Sequence, residues 1–120
     1  MGRAQLLALI ASLSIVAACK ETTIDDYPCP SGGTKLTYTN FGQGFFSNNC
    51  QRCHGASSDE RNGAPPDFDF GTLASVQAHK DRIFARAAAD NTTMPPGPDD
   101  PPQDQRDHLA EWLACGAPGP

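Results

Sequence analysis

The sequence predicts a small all-α domain of three main helices joined by long, irregular loops. Three segments repeat apolar residues at three- and four-residue steps, the mark of a helix with one buried face. The 11 Pro and 11 Gly break the rest of the 120 residues into irregular stretches. Hydrophobic content is only 38%, so the core is small, and a domain of this size commonly needs a cross-link, metal or cofactor to hold its fold. The five cysteines are therefore the first feature to explain.

Residues 1–18 read as an export signal. Arg3 gives a positive start and Leu6 to Ala18 an apolar run, too short for a membrane span of about 20 residues. Val16-Ala17-Ala18-Cys19 resembles the lipobox of bacterial lipoproteins, which implies cleavage before Cys19 and a lipid on its sulfur. The competing reading is ordinary signal cleavage after Ala18. Residues 19–35 then form a lipidated N-terminus and a flexible tether, because they are polar, contain Ser31-Gly32-Gly33 and show no periodic pattern.

The folded domain spans residues 36–120. Leu36-Thr37-Tyr38-Thr39 suits a short extended piece. The first helix starts near Thr39 or Asn40, either able to cap it, and runs through Phe41, Phe45, Phe46 and Cys50. The second covers about Thr72 to Ala89, with Leu73, Val76, Ile83, Phe84 and Ala87 on its apolar stripe. Met94-Pro95-Pro96-Gly97-Pro98 cannot be helical. Pro101-Pro102 open the third helix, Leu109, Trp112 and Leu113 are its buried stripe, and Gly116 stops it.

Cys50-Gln51-Arg52-Cys53-His54 is a C-x-x-C-H, the pattern that attaches a c-type haem. Cysteines three apart in a helical turn project the same way, so both sulfurs reach one porphyrin edge as thioethers, and His54 becomes the proximal iron ligand. Two bland readings compete. Zinc needs four ligands and usually a second close pair, which isolated Cys29 and Cys115 do not make. A redox dithiol belongs beside a β-α-β pattern, and none is visible.

After the leader, Met94 is the one methionine left. A thioether is a soft, neutral ligand that favours ferrous iron, and the prolines after it stiffen a loop able to carry the sulfur. Met94 is therefore expected as the distal ligand, with His79 and His108 as competitors that more plausibly sit in solvent on helices.

With these residues in view, the chain from about 40 to 117 resembles the small monohaem class I cytochromes c. The resemblance implies the class I cytochrome c fold, three helices wrapped around one covalently bound haem. It implies that Gly42 and Phe46 lie where the first helix crosses the last, and that Leu109 and Trp112 come from the last. It also implies that the carbonyl of Pro65 or Pro66 accepts the proximal imidazole N–H. Residues 112–118 resemble the ending of lipoprotein members of the group. Cys29 and Cys115 lie outside the general pattern. In that fold the segment entering the first helix lies near the end of the last, so the resemblance makes a Cys29–Cys115 disulfide reasonable, one that accounts for every cysteine in an oxidising compartment; two unpaired thiols are the alternative.

The function expected is outer-sphere electron transfer by a monomer, not enzyme catalysis. Asp25-Asp26 and Asp99-Asp100 read as solvated loop charges, and Asn91-Thr92-Thr93 as loop. The net charge of −5 argues against nucleic acid and suits redox partners with a basic docking surface. The expected location is the periplasmic side of a bacterial membrane, reached through the lipid on Cys19, with Lys20 slightly favouring the outer membrane. Two rivals stand beside this: a haem enzyme or gas sensor with an open or labile sixth position, and a haem-free structural lipoprotein with a zinc or disulfide staple.

Overall fold

The computed structural model describes residues 21–120; the export signal and Cys19 lie outside the described residues. Among these residues the regular structure is helical, with no strand. A 3-10 turn at Ile24–Asp26 and a π-wound turn at Tyr38–Gly42 precede five α-segments. These are α1 (Gln43–Asn49), α2 (Gln51–His54), α3 (Leu73–Ala78), α4 (Lys80–Ala87) and α5 (Gln103–Ala114).

The first helical stretch starts earlier than Thr39 or Asn40. Thr37 Oγ1 accepts the Asn40 N–H at 3.1 Å, while Asn40 Oδ1 accepts the Thr37 N–H at 2.7 Å. This reciprocal cap satisfies donors that a helix start leaves orphaned, and it winds Tyr38 and Thr39 into helix where an extended piece was expected.

The second helix is two pieces. Thr72 caps α3 by accepting the Ser75 N–H at 3.2 Å. His79 then leaves helical geometry (φ −110°, ψ 11°), and its Nδ1 lies 2.9 Å from the Ser75 carbonyl. A ring that bonds back to the preceding turn competes with the helical ladder, and the helix restarts at Lys80.

α5 follows Pro102 and ends where Gly116 takes φ +88°. The Gly116 N–H reaches the Leu113 carbonyl and the Ala117 N–H that of Trp112, both at 2.9 Å. This is the paired closure that a left-handed glycine permits at a helix end.

The core lies between these elements. Phe46, Val76, Phe84, Leu109, Trp112 and Leu113 are fully buried, each contributing about 1.5–3 kcal/mol relative to exposure. Gly42 meets α5 at the Trp112 ring, where an added Cβ would stand 2.7 Å from Cη2 and 2.8 Å from Cζ2. Tyr38, Phe41 and Phe46 surround the same indole with ring centroids 6.2–6.4 Å away. The indole Nε1–H donates to the Pro118 carbonyl at 3.1 Å.

Where a flexible tether was expected, residues 21–35 are laid against the helices. A disulfide joins Cys29 to Cys115. Thr34 Oγ1 donates to Glu111 at 2.6 Å, the Tyr27 ring lies 5.9 Å from Phe84, and Asn91 Nδ2 donates to the Thr22 carbonyl at 2.8 Å. Polar composition suggested a tether, yet the cross-link and these contacts offset the ordering entropy. No helix among the described residues is long and apolar enough to cross a membrane.

Candidate haem-binding site

Cys50, Cys53 and His54 are brought together by a short helical step. Cys50 departs from helical geometry (φ −124°, ψ −40°), ending α1. The N–H groups of Cys53 and His54 then return to the Cys50 carbonyl at 3.1 and 2.8 Å. Within that single turn the two cysteines share a face. Both thiols are unpaired and half-buried. Burial pushes the Cys50 thiol up to about 12, which holds it protonated. Asn62 Nδ2 lies 3.3 Å from Cys53 Sγ.

The imidazole of His54 is fixed on two sides. Its Nδ1 is 2.7 Å from the Phe68 carbonyl. A carbonyl only accepts, so Nδ1 carries the proton and Nε2 keeps the lone pair that a metal requires. The ring also stacks on Phe70, with centroids 4.6 Å apart and planes 23° apart, and the Phe70 N–H donates to the His54 carbonyl at 2.7 Å.

The acceptor is thus Phe68, correcting the expectation of Pro65 or Pro66. The Pro65 carbonyl is already taken, by the Phe68 N–H at 3.0 Å and by Arg61 Nη2 at 2.7 Å. The turn these bonds close carries the chain past both prolines, and the carbonyl at its exit meets the ring.

Arg61 escaped the sequence reading. Its guanidinium also donates to the carbonyls of Gly55 at 2.8 Å and Ala64 at 3.3 Å, with Phe68 at 3.5 Å. The available signal was Asn62-Gly63, a dipeptide that favours a turn with two positive φ values. Those angles are +49° and +83°, and they fold the loop back over the arginine.

Met94 belongs to another part of the fold, the loop between α4 and α5. Its N–H donates to the Arg86 carbonyl at 2.8 Å, and the residue is 40% exposed. The loop is pinned at Asn91, whose Nδ2 donates to the Phe84 carbonyl at 2.9 Å, and at Ala89, whose N–H donates to the Arg106 carbonyl at 3.1 Å.

The competing histidines sit elsewhere. His79 packs on Phe68 at 4.8 Å and meets Phe70 at 6.0 Å. His108 meets Phe41 edge-on at 6.0 Å. Among the described residues no group of three or more His, Cys, Asp or Glu gathers to hold a metal, and the disulfide removes Cys29 and Cys115 from any zinc set.

A helical domain, a C-x-x-C-H turn with two unpaired thiols, and an imidazole held with Nε2 free together define a small class I c-type cytochrome. Residues 39–113 match the family described as cytochrome c oxidase, cbb3-type, subunit III, and the chain belongs to it. It is a haem-based electron-transfer protein whose cofactor is a covalently bound c-type haem with iron. No curated protein and no solved structure gives a match. The residues of the C-x-x-C-H turn fit that group: two thiols for two thioethers and one orientated imidazole.

Proposed function

We propose that this protein is a single-haem electron carrier, with Cys50 and Cys53 as the thioether links, His54 as proximal ligand and Met94 as distal ligand. The three main helices wrap the haem, and the chain works on the periplasmic side of a bacterial membrane, held by a lipid on Cys19. The observation that carries the site assignment is the 2.7 Å contact between His54 Nδ1 and the Phe68 carbonyl, which selects the tautomer a haem iron needs.

When bound, the haem supplies a one-electron ferric/ferrous couple. The residues around it hold geometry and exclude water. Cys50 and Cys53 keep the group in a protein with little core. The Phe68 carbonyl makes His54 a stronger donor, while the neutral Met94 sulfur favours the ferrous state and raises the potential. Loop contacts at Asn91 and Arg86 steady Met94, which limits rearrangement between oxidation states. Partners are redox proteins that present basic surfaces to this acidic chain.

The test is the visible spectrum of protein exported alongside haem-attachment machinery. Sharp low-spin bands on reduction, with the weak far-red band of an iron–methionine bond when oxidised, support the assignment. The Met94→Ala variant should lose that band, fall in potential and bind added imidazole or azide. A high-spin wild type that Met94→Ala leaves unchanged would instead support catalysis or sensing at an open position.

A further inference from the structure

We infer that Arg61 is a positioning residue for His54, a role that rests on the haem reading above. An arginine in a surface loop is ordinarily solvated or paired with a carboxylate. Here the guanidinium, on a half-buried residue, spends its donors on backbone carbonyls alone among the described residues. Their places in the chain are what matter. Gly55 directly follows His54, and Nη1 reaches its carbonyl at 2.8 Å. Pro65 opens the turn that delivers Phe68, and Nη2 reaches its carbonyl at 2.7 Å. The same Pro65 oxygen accepts the Phe68 N–H at 3.0 Å.

One planar fork therefore ties the backbone beside the imidazole to the turn that presents its acceptor. The distance from His54 Nδ1 to the Phe68 carbonyl is set through Arg61. Lysine cannot do this. Its ammonium is a point donor on a flexible stem, whereas the guanidinium spans two carbonyls in fixed geometry. Arg61 acts through the loop from 55 to 68, whose Phe68 carbonyl it also approaches, at 3.5 Å.

The test uses haem-loaded Arg61→Lys and Arg61→Gln, the first keeping the charge and the second a single donor group. Exchange of the His54 Nδ1 proton is followed by NMR in the reduced, nitrogen-15-labelled protein, beside a redox titration. Both variants should exchange that proton faster by roughly three- to tenfold, the factor expected for weakening one hydrogen bond. The charge-keeping Arg61→Lys should also shift its half-reduction point upward, because a less firmly held N–H leaves the imidazole a weaker donor to ferric iron. Wild-type exchange and potential in both variants, even with a lowered melting temperature, would mean that Arg61 is a loop clamp and nothing more. Absence of haem bands from the wild type would overturn the carrier reading itself, an outcome distinct from wild-type bands with unaltered variants.

Discussion

At Gly42 a single hydrogen stands where any other residue would place a carbon. The Trp112 ring lies too close for that carbon, at 2.7 Å, and the indole is itself fully buried and hydrogen-bonded to Pro118. Gly42→Ala should therefore lower unfolding free energy by about 1–3 kcal/mol, the usual cost of overpacking a filled core, as read by urea titration. An unchanged midpoint would mean that the indole moves freely. The site's residues differ in how legible they are. Cys50, Cys53 and His54 were readable because one helical turn contains them all. The Phe68 carbonyl and the Arg61 fork were not, because a backbone oxygen has no side-chain signature and its aim depends on the path of a 13-residue loop from 55 to 67.

Elements were legible where local chemistry decides them. Gly116 closes α5 by backbone geometry that few other residues adopt; Leu109, Trp112 and Leu113 are buried where periodicity placed them, as are Phe45, Phe46, Val76, Ile83, Phe84 and Ala87, while Phe41, Cys50 and Leu73 are half-buried at the edge of the core. The break at His79 was not visible, since helical spacing continues across it and the interruption comes from the ring bonding to Ser75. In residues 21–35 polar composition carries no periodic signal, and the contacts that order the segment are single long-range ones, the disulfide, Thr34 to Glu111 and Tyr27 to Phe84. Replacing both Cys29 and Cys115 by Ser should cost roughly 4–5 kcal/mol on the chain-entropy account, seen as a lower melting temperature. Tyr27 reports on the same segment. Burial, then the carboxylates of Asp107 and Glu111, hold its phenol above the ordinary value. The fold thus favours the neutral phenol, a contribution present at neutral pH and lost as pH rises through that raised value. Ultraviolet titration should show Tyr27 ionising above pH 10 in the native protein and returning toward 10 in the double Ser variant.

Across the whole molecule the acidic excess makes the proposed encounter with redox partners testable. With a net charge of −5, electron exchange with a basic redox protein should slow as salt is added, because screening shortens the reach of the attraction to about 8 Å at physiological ionic strength. A rate independent of salt would point to an apolar docking face. The Cys29–Cys115 bond has a mechanical meaning as well. Tension applied to the chain ahead of Cys29 does not peel the first helix from its end. It passes through the disulfide into the last turn of α5, the most deeply packed helix of the domain. A pull on the N-terminal segment would thereby load the domain at its C-terminal end, and the cysteine-bearing turn and its loop would stand outside the line of force.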